Sequence, residues 1–197
     1  MKIKLILLSF CIFLYSSVLF AQKVLEENLI YRGNIAFSFE NDEPISGKVV
    51  QNFENGEIKF QGEYTDGLKI GEWQEFYENG NKKAISNYSN GKKNGPFEIY
   101  FNDGEKQLIG EYKNGKENGN WKEFSEDGKL IYSGNYKLGQ LDGRWQNFHL
   151  NGRLYSMGFY EEGSKEGLWE YFDRNAKLIT TKTFVENEVF KCEGFCE

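Results

Sequence analysis

One histidine, two prolines and three cysteines stand among 197 residues, and 24 basic side chains face 30 acidic ones. These shortages exclude several functions before any motif is read. Nucleic-acid binding rests on basic groups that neutralise phosphates, and this chain has a formal charge of −6 and no basic stripe. The same deficit argues against electrostatic adsorption to anionic lipid. Lys82, Lys83, Lys92 and Lys93 do cluster, but Glu72, Glu75 and Glu78 share their stretch, which reads as solvated surface. No sustained 3.6-residue apolar period occurs after the N-terminus, so no substantial helix is expected there.

The first 21 residues differ from the rest. Lys2 and Lys4 precede the apolar stretch LILLSFCIFLYSSVLF, and Ala21 offers a cleavage edge before Gln22, the pattern of an export signal. A retained anchor is the alternative, but 16 apolar residues are short for a membrane span. The LSF before Cys11 lacks the small residue that usually precedes a lipidated cysteine. Cleavage would leave 22 basic and 30 acidic residues, a charge of −8. It would also leave two cysteines, Cys192 and Cys196, in KCEGFCE. An even pair in an exported chain points to a disulfide, with Gly194 turning the loop. The alternative is half a metal site, with no second cysteine or histidine pair to complete four ligands. No cofactor is expected.

What the chain has in abundance is glycine in register. Gly47, Gly71, Gly95, Gly119, Gly143 and Gly167 are each 24 residues apart. A second series, Gly56, Gly80, Gly104, Gly128 and Gly152, closes at Ala176, always with Asn or Asp before it. A third, Gly67, Gly91, Gly115, Gly139 and Gly163, closes at Asn187. Aromatic residues keep the same phase: Trp73, Phe97, Trp121, Trp145 and Trp169; Phe76, Tyr100, Phe124, Phe148 and Phe172; Tyr64, Tyr88, Tyr112, Tyr136, Tyr160 and Phe184. Six units therefore fill residues 47–190.

Each unit reads as a β-hairpin, with aromatic strands flanking Asn-Gly or Asp-Gly and the third glycine series joining one hairpin to the next. The predicted fold is all-β, an elongated antiparallel sheet of successive hairpins. A two-residue turn pairs Trp121 with Gly134 and Gly119 with Tyr136, laying a ring over bare backbone. A three-residue turn with a glycine bulge shifts the register by one and places Phe124 on the face of Leu130, Gly134 and Tyr136. The sequence leaves both open. Residues 22–46 contain LIYRGNIAF, which echoes LIYSGNY at 130–136 and suggests a degenerate strand capping the array. The tail 191–197 would cap the other end, and exposed terminal strands offer a route to a homodimer.

Read from its second strand, a unit runs YSGNYKLGQLDGRW over residues 132–145, and LIGEYKNGKENGNW at 108–121 repeats it. This resembles the MORN repeat, and the 24-residue period with Asn/Asp-Gly is most similar to the bacterial variant that includes YwqK-type antitoxins. The resemblance covers about 144 residues. It implies a twisted sheet of hairpins that engages a partner along its surface, with membrane, lipid or protein scaffolding roles among eukaryotic relatives. The antitoxin association implies neutralisation of a partner protein, although an export signal departs from a cytosolic antitoxin.

Enzyme chemistry finds little support. His149 is the sole candidate base for a triad, and its slot holds Phe53, Tyr77, Phe101, Ser125 and Asp173 in other units, as a variable surface position would. Glu63 and Glu111 recur in one slot that Asn87, Asn135, Phe159 and Thr183 fill elsewhere. The candidate binding residues are Trp73, Trp121, Trp145 and Trp169, with Tyr77 and Phe101 from the FY and YF pairs. A partner protein is the favoured ligand, and an envelope glycan stacked on the aromatic stripe is the alternative. The plainer reading of the tryptophans is packing between hairpins.

Overall fold

The computed structural model describes residues 29–196. The proposed export segment 1–21, with Cys11, and residues 22–28 lie outside the described residues. Among the described residues every regular element is a strand. Leu29–Arg32 (β1) and Ile35–Ser38 (β2) form a two-stranded hairpin of their own. The remaining strands make one 13-stranded sheet in chain order. Its first half is Gly47–Asn52 (β3), Ile58–Thr65 (β4), Leu68–Phe76 (β5), Lys82–Ser89 (β6), Lys92–Tyr100 (β7), Lys106–Lys113 (β8) and Lys116–Phe124 (β9). Leu130–Lys137 (β10), Gln140–Phe148 (β11), Leu154–Glu161 (β12), Ser164–Phe172 (β13), Leu178–Val185 (β14) and Glu188–Gly194 (β15) complete it. All pairs are antiparallel and no strand is skipped, the all-β array of successive hairpins that the repeat predicts.

Two kinds of turn alternate along the sheet, and both registers left open by the sequence occur. At the Asn/Asp-Gly tips, Gly128 N–H donates to Ser125 O at 2.8 Å and Ser125 N–H to Lys129 O at 2.9 Å, closing a three-residue loop. Gly128 takes φ +75°, the left-handed position that such a loop requires. Phe124 therefore pairs with Leu130, but a bulge at Ile131 shifts the ladder, so that Trp121 pairs with Gly134 and Gly119 with Tyr136. The tip follows the longer turn and the strand body the shorter one.

The segments expected merely to join hairpins are themselves the tightest turns. Lys137 pairs with Gln140 across Leu138 and Gly139, whose φ values are +51° and +90°. Both central residues are left-handed, as a type I′ turn demands. Successive turns of this kind stack: Gly139 N–H donates to Glu117 O at 2.8 Å, and Gly163 N–H to Leu141 O at 2.8 Å.

One face of the sheet carries the core. Edge-on ring contacts run Tyr64–Trp73–Tyr88 with centroids 4.9 and 6.1 Å apart. A second run passes from Phe97 through Tyr112, Trp121, Tyr136, Trp145, Tyr160 and Trp169 to Phe184. A single hairpin cannot bury such rings, but neighbours stacked at the strand spacing can. The register thus builds a continuous core within one layer.

LIYRGNIAF does not add a strand to this ladder. It folds into the β1–β2 hairpin over the start of the ring face, where Ala36, Ile45, Val49, Tyr64 and Trp73 form a buried cluster with Leu29 packed against it. Ala36 N–H donates to Gly67 O and Gly67 N–H to Ile45 O, at 2.8 and 2.7 Å. A β-carbon on Gly67 would stand 2.4 Å from Ile35, so this turn needs glycine for space as well as for φ. At the other end Cys192 and Cys196 are joined by a disulfide.

Candidate functional site

Three of the four tryptophans lie in the core, and the fourth, Trp145, is half-buried. Trp73, Trp121 and Trp169 are 5%, 4% and 1% exposed, too little to offer a ring face to a sugar. Each lies on a glycine of the preceding strand: Trp73 on Gly62, Trp121 on Gly110, Trp145 on Gly134 and Trp169 on Gly158. Gly134 is thus paired with Trp121 on one side and with Trp145 on the other, and it is Trp145 that covers it. Where Phe97 replaces tryptophan, the opposing residue is Ser86, since the smaller ring leaves room for a hydroxymethyl group.

Two of the indole N–H groups bond alike. Trp73 Nε1 donates to Glu63 O and Trp169 Nε1 to Phe159 O, at 3.3 and 3.1 Å. Trp145, the half-buried one, is turned by Tyr132, against which it stacks with centroids 4.9 Å apart and an interplanar angle of 14°. Its Nε1 donates instead to Asn147 Oδ1 at 2.9 Å. Trp121 Nε1 is buried without a hydrogen-bond partner among the described residues.

Lysines cover three of these ring clusters. Lys69 Nζ lies 4.0 Å from the Trp73 centroid, Lys93 Nζ 4.1 Å from Phe97 and Lys165 Nζ 4.3 Å from Trp169. Burial pulls Lys93 below the ordinary lysine pKa against the attraction of Glu75 and Glu117. Burial also lowers Lys165, and Lys182 adds to it. Burial raises the phenols between the rings, pushing Tyr132 up to about 12. These shifts follow from packing and describe no acid–base pair.

At the three-residue tips, side chains tie each unit to the next. Asn55, Asn79 and Asn151 accept their own turn's N–H two residues on, and their amide nitrogens donate to Glu78 O, Asn102 O and Arg174 O in the following tip. Tyr77 and His149 do likewise: Tyr77 Oη donates to Tyr100 O at 2.8 Å, and His149 Nε2 lies 2.9 Å from Phe172 O. Phe101, in the same slot, is half-buried. Tyr77 and His149 therefore serve the ladder, and His149 contacts Tyr155 rather than a nucleophile.

Glu63 and Glu111 lie on β4 and β8, exposed and four strands apart, or about 19 Å at the usual strand spacing. Paired glycosidase carboxylates stand within roughly 10 Å of each other, so these two cannot flank one glycosidic bond. Among the described residues no group of three or more acidic, cysteine or histidine side chains is placed to hold a metal ion. Sequence reasoning did not single out Met157 and Leu168 as candidates. Leu168 is marked by its departure from the repeat, whereas Met157 shares its slot with Ile85 and Ile109.

The fold and its surface define a hairpin-repeat protein, with a ring core on one face and unit-specific side chains on the other. Within it, residues 69–90, 117–138 and 141–162 match the family model described as the MORN repeat variant. No curated protein matches the chain. Two solved structures show partial likeness. One is a mutant of S. aureus TarM in complex with Fondaparinux, alpha-GlcNAc-glycerol and UDP, 16% identical over 49% of this chain and 19% of that chain, with a TM-score of 0.31. The other is TarM, 19% identical over 45% of this chain and 18% of that chain, with a TM-score of 0.29. The chain thus spans less than a fifth of either, and scores this low carry no functional implication.

Proposed function

We propose that the chain is an exported, non-catalytic repeat scaffold that binds a partner protein along its sheet. The burial of the aromatic column carries this reading. The rings that a sugar binder would expose are consumed inside the array, at 1–5% exposure for three of the four tryptophans. What varies from unit to unit is the opposite face, where one slot holds Glu63, Asn87, Glu111, Asn135, Phe159 and Thr183. A row of differing polar and apolar side chains on a rigid ladder suits protein recognition, which is specified by such residues on a fixed frame. Export is supported by Lys2 and Lys4 ahead of the apolar stretch, and by the Cys192–Cys196 disulfide, a bond favoured in oxidising compartments.

Affinity purification of the tagged chain from its own envelope fraction tests this. One protein should co-purify in fixed stoichiometry. Recovery with glycan alone, released by soluble sugar, would sink the proposal. If the captured protein is toxic in cells lacking this chain, the scaffold acts as an antitoxin.

A further inference from the structure

Alternation along β12 turns Gly158 and Tyr160 toward the ring column and sends Met157, Phe159 and Glu161 to the other face. There Met157 and Phe159, with Leu168 of β13, line an open groove of about 840 Å³. Phe159 is 57% exposed and Leu168 54%, so two large apolar side chains of one groove stand in solvent. The repeat requires neither. The slot of Leu168 holds Lys48, Glu72, Pro96, Asn120 and Arg144 in other units, and that of Phe159 holds Glu63, Asn87, Glu111, Asn135 and Thr183.

The charge around these side chains is one-sided. Carboxylates of Asp142, Glu161, Glu166 and Glu170 line the groove against the two cations Lys137 and Arg144. Lys137 and Asp142 lie 4.0 Å apart and offset each other. Arg144 sits on the β11 side, paired with Phe159 in the ladder, with its guanidinium 3.7 Å from Met157 Sδ. On the β13 side Glu166 pairs with Phe159 and Glu170 with Met157, and Glu166 accepts Glu186 N–H at 3.0 Å. Among the described residues no lysine or arginine forms an ion pair with Glu161, Glu166 or Glu170. This acidity is peculiar to the unit. The slot of Glu161 holds Lys113 and Lys137 in the two units before it, and that of Glu170 holds Lys122 and Gln146.

An apolar anchor point beside carboxylates that lack cations fits a ligand that carries both missing parts. A second copy of this chain would bring the same carboxylates to the same groove. Anionic lipid or nucleic acid would meet them with further negative charge. We propose that this groove docks a basic segment of a partner protein, with one bulky apolar side chain against Phe159 and Leu168 and lysine or arginine over Glu161, Glu166 and Glu170. Arg144 sets the direction of the segment, because it repels the basic side chains from β11 and leaves them to β12 and β13. The proposal rests on the reading of the chain as a protein-binding scaffold, and it gives that scaffold a site and its partner a chemistry.

Panning a random-peptide phage library on the purified chain tests the proposal. Enriched peptides should carry lysine or arginine beside a bulky apolar residue, and their binding should weaken as salt rises. Anisotropy of one labelled peptide should show affinity lowered about tenfold or more by Phe159→Asn, and likewise by Glu161→Lys combined with Glu170→Lys. These substitutions install residues that the same slots already hold at Asn135, Lys137 and Lys122, so circular dichroism should be unchanged. The same peptide with its basic residues replaced by glutamate should not bind. Enrichment of acidic or uncharged peptides, no enrichment at all, or binding that survives Phe159→Asn would overturn the proposal. So would self-association of the chain that Phe159→Asn abolishes, which would assign the groove to a second copy. A protein captured from the envelope fraction that binds Phe159→Asn as tightly as wild type would leave the scaffold reading standing and remove this site.

Discussion

The indole of Trp145 lies on the bare backbone of Gly134, so close that a β-carbon there would stand 1.8 Å from the ring. Gly134→Ala must therefore push the ring or the strand aside, at a cost of about 1–3 kcal/mol. Urea unfolding should show a lower midpoint. Trp145→Phe in the same background should recover part of the loss, as the natural pair Ser86 and Phe97 indicates. Strictly additive effects of the two substitutions would contradict the contact.

Leu138 occupies a left-handed position, φ +51°, that Asp66, Asn90 and Asn114 fill in earlier units. A leucine pays there in strain, of order 1 kcal/mol or more, and its side chain is 50% exposed, so little burial compensates. Leu138→Asn should raise the thermal midpoint. A lower midpoint would mean that Leu138 has a contact worth more than the turn.

Asp103 and Asp127 hold the slot in which Asn55, Asn79 and Asn151 donate to the next tip, and a carboxylate has no proton to give. Asp103→Asn should add the missing rung toward Glu126 and stabilise the array by about 0.5–1.5 kcal/mol. The reverse change, Asn151→Asp, should lose a similar amount in the same unfolding assay. Equal stability of both variants with wild type would remove the ladder as an energetic feature.

Much of this was legible in the sequence because the repeat itself displays it. Glycines every 24 residues placed the turns, and the Trp121–Gly134 pairing followed from counting across one of them. The extra residue at Ile131 was not legible. It changes the register without any glycine to mark it, since a bulge in mid-strand suits many side chains. Nor could counting show that Trp145 covers Gly134, because a register shift between Gly134 and Tyr136 is what brings these two into a pair. LIYRG echoes a strand of the array, and one strand is all that this echo indicates. Gly33 and Asn34 instead turn the chain back on itself as a separate hairpin.

Alkaline pH should loosen the structure through its tyrosines. Burial raises Tyr88, Tyr112, Tyr136, Tyr160 and Tyr171 above the ordinary value of 10.0, and pushes Tyr100 and Tyr132 up to about 12. For a group whose folded pKa is raised, the stabilisation is intact below the unfolded pKa and is lost as pH rises through the folded one. Stability should therefore fall from pH 10 to about pH 12 for Tyr100 and Tyr132. Lys93 and Lys165, lowered by burial, act in the opposite direction, but below the ordinary lysine value of 10.5. Tyrosinate absorbance and denaturant midpoints followed together should show late ionisation coincident with unfolding. Tyr132→Phe should flatten the decline.

The central claim is that the aromatic column is scaffold and that recognition lies elsewhere on the sheet. Tryptophan fluorescence of the chain titrated with isolated cell wall measures this most directly, because the four indoles are the reporters and three of them are 1–5% exposed. The account predicts an unchanged spectrum and no retention of the chain on the wall. Quenching or a blue shift that saturates, and that soluble sugar reverses, would contradict it.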